Sequence, residues 1–403
     1  MADRLVIIGS GMAAARLLES LDEQKAGFDI TVIGEEPQSS YNRILLSSVL
    51  CGEKGPRELP LLSPEWYRAR RINLITGQAV TSVDIEGRRV YTAHGHIIDY
   101  DRLVFATGSR AHIPQVSGID ADGVLAFRSL TDLDRIRELA ASSKRVVVVG
   151  GGLLGLEAAH GLDSLGLQVT VVHRRGWPMN RQLDREAGQL LQSQLEVRGI
   201  RFAMNASPER LQASEGRVRG VVLDNGLELK AGMALFAAGI EPNSELAGDA
   251  GLECRRAIVV DRYLQTSVKH IYALGECCQI GERTFGLVAP VRQQADILAA
   301  NLTGKPGEGY RHLDTPTRLK VSGIDLYSAG RHGAAANAEE QVLRDPGAGV
   351  YRRLFFDRDR LVGAILLGDC SGGRWYDELI KSRQAVGAQR PWLVFGPDYY
   401  LRG

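Results

Sequence analysis

The chain has 403 residues, 44% hydrophobic and 24% charged, the balance of a soluble globular protein long enough for two or three domains with sealed cores. Its 49 Lys and Arg against 48 Asp and Glu leave a formal net charge of +1, without the basic excess of a nucleic-acid binder. No apolar run approaches the ~20 residues of a membrane span, and acidic Asp3 ahead of Leu5 argues against a signal peptide, so a cytoplasmic protein with no membrane contact is expected.

In chain order, Leu5-Val6-Ile7-Ile8 reads as a strand buried on both faces. The turn Gly9-Ser10-Gly11-Met12-Ala13-Ala14 and the helical run Ala15-Arg16-Leu17-Leu18 follow. Gly9 permits the tight turn, Gly11 lets backbone approach a pyrophosphate, and Ala14 lets the helix pack closely on the strand. The helix start at Met12 and Ala13 offers N–H groups and a positive dipole end to phosphate. A second strand, Ile30-Thr31-Val32-Ile33, leads into Gly34-Glu35, about 25 residues past the glycines, where an acid accepts hydrogen bonds from an adenosine ribose.

The pattern then recurs. Val146-Val147-Val148-Val149 leads into Gly150-Gly151-Gly152-Leu153-Leu154-Gly155 and the helical run Leu156-Glu157-Ala158-Ala159. Gly150, Gly152 and Gly155 take the same three roles, with Leu153 and Leu154 at the helix start. Each copy follows a strand and precedes a helix, so two dinucleotide sites are expected. The strand Val169-Thr170-Val171-Val172 ends not at an acid but at His173-Arg174-Arg175. Arginine there accommodates a 2′-phosphate that an acid would repel, although Arg174 and Arg175 also read as solvated loop charges. The two sites therefore suggest different ligands: a resident FAD in the first and an exchanging NADH or NADPH in the second.

The five cysteines, Cys51, Cys254, Cys277, Cys278 and Cys370, form no C-x-x-C pair and no metal-ligand set, so reduced thiols and no metal are expected. The adjacent Cys277-Cys278 reads more readily as two small buried hydrophobes than as a redox pair.

Further segments resemble the two-dinucleotide flavoprotein reductases, the family of glutathione reductase and ferredoxin reductase. Val104-Phe105-Ala106-Thr107-Gly108-Ser109 is similar to the segment that returns the chain past FAD. Ala237-Ala238-Gly239-Ile240-Glu241-Pro242-Asn243 is similar to its counterpart closing the nicotinamide domain. Thr266-Ser267 and Ile271-Tyr272-Ala273-Leu274-Gly275-Glu276 resemble the turn back onto the flavin ribityl, with Glu276 where Asp is usual. The resemblance covers about residues 3–310. It implies an α/β fold of two Rossmann-like domains plus a C-terminal α+β interface domain. The FAD domain would be discontinuous, 1–112 and 243–310, with the NAD(P)H domain 113–242 inserted and the interface domain at 311–403. Val80 joins Ala106, Thr107, Gly108, Gly275 and Glu276 on the FAD side, and Gly239 falls on the nicotinamide side.

Within that family, Tyr41-Asn42-Arg43-Ile44-Leu45-Leu46-Ser47-Ser48-Val49-Leu50, Arg181-Gln182-Leu183-Asp184 and the stretch Leu319 to Gly330 resemble the reductase part of assimilatory nitrite and nitrate reductases. The resemblance implies catalytic roles for Glu157, steadying the nicotinamide amide, and for Arg43, facing the flavin ring. A first-turn acid favoured by the helix dipole and a loop arginine are the plainer readings. Ferredoxin reductases pair this acid with a lysine, whose place falls near Ser48. The reactive cysteine of the peroxidase and oxidase branch would fall near Ile44, not at Cys51. Pro290 is expected at the first position of a helix whose N-terminus faces the flavin.

Beyond residue 311, Leu319-Lys320-Val321, Leu354-Phe355-Phe356 and Leu361 to Leu366 read as strands, and Trp375 to Val386 as an amphipathic helix. The aromatic tail of Trp392, Phe395, Tyr399 and Tyr400 could dock on a partner or pack on its own domain. The chain ends at Gly403 without the clustered cysteines of the family's iron–sulfur and sirohaem modules. The expected function is therefore an electron-input subunit, passing electrons from NAD(P)H through FAD to a metalloprotein: a nitrate or nitrite reductase component or a small iron–sulfur protein. A rubredoxin or ferredoxin reductase is the alternative within enzymes, a redox-gated binding flavoprotein the alternative outside them. Homodimerisation is a further expectation.

Overall fold

The computed structural model describes residues 2–312, 316–321, 323–331 and 339–400, so Ser322 of the nitrite-reductase-like stretch lies outside the described residues. By internal packing the chain forms two units, one of Met1–Leu46, Lys54–Arg110 and Ile240–Leu313, the other of Ser47–Glu53, Ala111–Gly239 and Asp314–Gly403.

The first unit is built on a five-stranded parallel sheet in the order Ile271–Ala273, Arg102–Phe105, Arg4–Ile8, Asp29–Ile33, Asn73–Ile75. Leu5, Ile7, Val32, Leu103, Val104 and Phe105 are wholly buried, as strands covered on both faces require. Helices Met12–Glu23 and Val288–Leu302 lie together on the sheet, fastened where Asp296 accepts from Arg16 at 2.7 Å and from the Ser20 hydroxyl at 2.6 Å. Pro290 is the third residue of its helix rather than the first, because the helix opens earlier, at Val288. The first turn lacks intrahelical acceptors for its N–H groups, so proline costs no hydrogen bond there either.

The second unit repeats the design in the order Arg201–Met204, Gln168–His173, Arg145–Val149, Met233–Phe236, Val124–Ala126, all parallel. Its C-terminal sheet is antiparallel, ordered Thr317–Val321, Ile324–Gly330, Arg360–Leu367, Val350–Asp357, Glu339–Asp345. The helix Gly373–Ser382 packs on it through Tyr376, sharing a core with Tyr327, Leu354, Phe356 and Leu393. That helix stops short of the expected Val386 because Arg383 takes a left-handed conformation, φ 54°. Asp184 joins the C-terminal sheet to the nucleotide half of the unit. Its Oδ1 caps the helix Arg185–Val197 at Ala187 N–H, 2.8 Å, while Oδ2 accepts from the Tyr351 hydroxyl at 2.8 Å and from Arg353 at 3.0 Å.

Candidate functional site

Both parallel sheets reverse their strand order beside the central strand, between Arg4–Ile8 and Arg102–Phe105 in one and between Arg145–Val149 and Met233–Phe236 in the other. A crevice at the carboxyl ends of such strands is where open α/β sheets bind ligands, and both glycine turns sit there.

In the first unit Gly9 has φ +107°, and a Cβ on it would fall 2.2 Å from the Ala106 carbonyl oxygen. Only glycine allows that approach. Gly9 N–H donates to Ile33 O and Ala106 N–H to Ile8 O, each at 2.7 Å, fixing the turn against the Ala106-Thr107-Gly108 segment. Gly11 is the N-cap of helix Met12–Glu23, without a side-chain cap, and a Cβ on it would meet nothing within 4 Å. The first turn's N–H groups, at Met12, Ala13 and Ala14, precede the bond from Ala15 N–H to Gly11 O at 3.0 Å and have no acceptor one turn back within the helix. The Gly275 turn closes this cradle, a Cβ there lying 3.0 Å from that of Ala13. Gly275 N–H donates to Oε1 of the wholly buried Gln294 at 2.7 Å. Nε2 of Gln294 has no hydrogen-bond partner among the described residues, a buried donor that a ligand oxygen would satisfy.

Around the cradle, Glu276 accepts from the Ser109 hydroxyl at 2.7 Å, and Thr107 and Asn243 exchange hydrogen bonds at 2.6 and 2.9 Å. Glu35 is exposed just past the strand Asp29–Ile33, and Val80 opens the strand Val80–Asp84. Arg43 is paired with Glu36, whose other oxygen accepts from the Tyr41 hydroxyl at 2.6 Å, and its guanidinium lies 5.0 Å over the Tyr41 ring. Glu36 thus opposes the positive charge expected to face the flavin. An open helix start, a glycine cradle that a Cβ would close and a spare buried donor fit the pyrophosphate of FAD.

The second unit reproduces this geometry. Gly150 has φ +126°, and a Cβ would fall 2.4 Å from the Ala237 carbonyl oxygen. Gly150 N–H donates to Val172 O at 2.9 Å and Ala237 N–H to Val149 O at 2.8 Å. Gly152 faces open space at the start of helix Leu153–Ser164, while a Cβ on Gly155 would strike the Gly150 oxygen at 1.8 Å. Gly239 O accepts from His112 N–H at 3.0 Å. Arg174 and Arg175 are both exposed.

Glu157 lies one turn into the helix and is half-buried, with the Ser47 hydroxyl as its hydrogen-bond partner. Burial, only partly offset by Ser47, lifts its carboxyl to about 7, so near neutral pH it exists both with and without its proton. The segment Ser47–Glu53 belongs to this unit because Arg137 donates to Val49 O at 2.6 Å and Leu50 fills the space above Gly161. It also brings the Cys51 thiol, the Glu53 carboxylate and the His160 ring within 4.8 Å of one another. Burial, then Glu53 and Glu157, push that thiol up to about 11, a poor nucleophile at neutral pH. Cys277 and Cys278 are wholly buried, their thiols directed at backbone carbonyls, which bears out their reading as small hydrophobes.

Sequence reasoning missed four positions. Gln294 and Asn243 act on the FAD-side turn, Ser47 on Glu157, and His173 on the second glycine turn. Asn243, Ser47 and His173 stood in segments already singled out in the sequence, but nothing there pointed to the hydrogen bonds they make.

Two dinucleotide cradles of one design, each at a switch point of a parallel sheet, define a flavoprotein oxidoreductase that uses FAD and NAD(P)H. Residues 3–295 match the family described as pyridine nucleotide-disulphide oxidoreductase, and residues 316–384 the rubredoxin NAD+ reductase C-terminal domain. The chain belongs to the pyridine nucleotide-disulphide oxidoreductase family. Two Bacillus subtilis proteins are each 39% identical to it. Over 95% of this chain and 48% of the relative it matches a nitrite reductase [NAD(P)H], and over 96% and 50% an assimilatory nitrate reductase electron transfer subunit. The chain thus spans about half the length of these relatives. A ferredoxin reductase structure from Rhodopseudomonas palustris superposes with a TM-score of 0.82 at 28% identity, covering 92% of each chain.

Proposed function

We propose that this chain carries electrons from NAD(P)H through FAD to a metalloprotein acceptor in assimilatory nitrate or nitrite reduction. The observation that carries the reading is the repeated glycine cradle, alike in backbone and opposite in flanking charge, supported by the similarity to a nitrite reductase and to a nitrate reductase electron transfer subunit. When bound, the two cofactors would supply the redox chemistry, hydride transfer from reduced nicotinamide to flavin.

The chain's own residues position and insulate. The N–H groups of Met12, Ala13 and Ala14, with the helix dipole, hold the FAD pyrophosphate, and those of Leu153 and Leu154 hold that of the coenzyme. Glu35 takes the FAD adenosine ribose. The Ser109 hydroxyl orients Glu276 toward the flavin ribityl. Glu157, with its proton, donates a hydrogen bond to the nicotinamide amide. The described cysteines offer no reactive dithiol, so electrons leave to an external acceptor. Five free thiols are consistent with the cytoplasm as its compartment. The C-terminal sheet is proposed to meet the acceptor or a second copy of the chain. The match to a rubredoxin reductase C-terminal domain favours, as second reading, a small iron–sulfur carrier as acceptor.

Anaerobic stopped-flow reduction by NADH and by NADPH, followed in the visible flavin band, tests the reductase reading. Rapid bleaching by either supports it. A yellow protein that neither coenzyme bleaches sinks it and favours a redox-gated binding protein.

A further inference from the structure

The segment Ser47–Glu53 and the helix Leu153–Ser164 belong to one unit, and the backbone of each is fixed where they meet. Cys51 N–H donates to Ser47 O at 2.9 Å, Gly52 N–H to Val49 O at 3.2 Å and Glu53 N–H to Ser48 O at 2.9 Å. Gly52 has φ +76°, so the chain reverses there, just past the short helix Leu46–Leu50, as glycine allows at a helix end. Leu50 lies against Gly161, where a Cβ would fall 2.6 Å from its Cγ. That contact seats the segment beside His160, the residue before Gly161 on the helix.

The Cys51 Sγ, a Glu53 carboxylate oxygen and a His160 ring nitrogen lie within 4.8 Å of one another. Among the described residues no other three His, Cys, Asp or Glu side chains meet so closely. Sequence spacing, from which no metal is expected, hides this group, because His160 lies far along the chain from Cys51 and Glu53. Cys51 and His160 are half-buried and Glu53 is exposed, so an ion has a route from solvent. Bonds of about 2.0–2.3 Å from one zinc ion hold tetrahedral ligands roughly 3.3–3.7 Å apart. From 4.8 Å the three atoms need to close by at most about 1.5 Å, which side-chain rotation on a fixed backbone supplies. A thiolate with an imidazole and a carboxylate suits zinc, whereas magnesium and calcium take oxygen ligands. Three protein ligands leave the fourth position to water. Burial and the carboxylates of Glu53 and Glu157 keep the thiol protonated on its own. An arriving divalent ion reverses that balance, and the thiol proton leaves to solvent.

We propose that Cys51, Glu53 and His160 form a zinc site that clips the segment carrying Ser47 to the helix Leu153–Ser164. The ion joins residues that the unfolded chain does not present together, so it should stabilise the fold. The test is calorimetric titration of the FAD-loaded protein, kept reduced and freed of metal by a chelator, with zinc chloride. The wild type should take up one zinc ion per chain and melt at a higher temperature with zinc than without. Cys51→Ser and His160→Ala should each weaken binding by at least about 100-fold, since loss of an outer-shell partner alone costs roughly 10- to 100-fold. Cys254→Ser, which removes a half-buried thiol outside the group, should bind as the wild type does. In the wild type, zinc should also slow the labelling of Cys51 by N-ethylmaleimide and leave that of Cys254 unchanged, a readout that needs no variant to fold. No zinc uptake, uptake that both ligand variants leave unchanged, or Cys51 labelling indifferent to zinc overturns the proposal. None of these measurements reads turnover, so the reductase reading stands or falls separately.

Discussion

Replacing Glu157 by Gln keeps the shape of the side chain and removes its titration, which makes the pH dependence of stability a direct readout of its burial. In the folded chain burial raises this carboxyl from its ordinary 4.5 to about 7. Between those values the folded state holds the proton more tightly than the unfolded state, so the contribution of this group to stability is fully present below pH 4.5 and is lost as pH rises through 7. A shift of this size corresponds to about 3 kcal/mol, at 1.36 kcal/mol per unit. Glu157→Gln avoids that loss. Its melting temperature should approach the wild type's near pH 4.5 and exceed it by about 6–12 °C at pH 8, at ~2–4 °C per kcal/mol for a unit of this size. Thermal unfolding followed by circular dichroism across pH 5–9 measures the difference. If the two proteins differ by a constant amount at every pH, Glu157 is an ordinary solvated acid and its proposed proton-donating role fails with it. If the difference grows as stated, kcat/KM for the coenzyme should also fall above about pH 7 in the wild type and lose that fall in Glu157→Gln.

The remaining expectations concern the cradles and the core. Gly9→Ala should lose FAD and destabilise the fold, since its Cβ would strike the Ala106 carbonyl, while Gly11→Val should lose FAD with little change in apoprotein melting, since its side chain enters open space. Flavin absorbance after desalting, with calorimetry of the apoproteins, separates the two. Asp184→Ala removes a helix cap and the partner of Tyr351 and Arg353, and should cost about 2–4 kcal/mol in urea unfolding, whereas Asp184→Asn, which keeps the cap, should cost less. Cys277→Ala should retain reductase turnover, and mass spectrometry after native iodoacetamide treatment should find Cys277 and Cys278 unmodified. Alkylation of either in the folded protein would contradict their burial.

Local sequence decided much of this protein. The two strand–glycine–helix units, the position of Glu35, the missing acid after Val172 and the C-terminal strands were all legible, because each depends on near neighbours: hydrophobic runs, and glycines where backbone must pass close. What lay beyond reach depends on residues distant in the chain. That Ala106 and Ala237 press on Gly9 and Gly150 follows from sheet order, and so does the burial of Gln294 against Gly275. Glu157 reads as an ordinary first-turn acid until the fold buries it and brings the Ser47 hydroxyl to it. Arg43 reads as a free cation until Glu36 meets it. Glycine turns and strand periodicity can be read locally because a few adjacent dihedrals set them. The protonation of Glu157 and the pairing of Arg43 were decided only by tertiary structure, because desolvation and hydrogen-bond partners come from the whole packed chain.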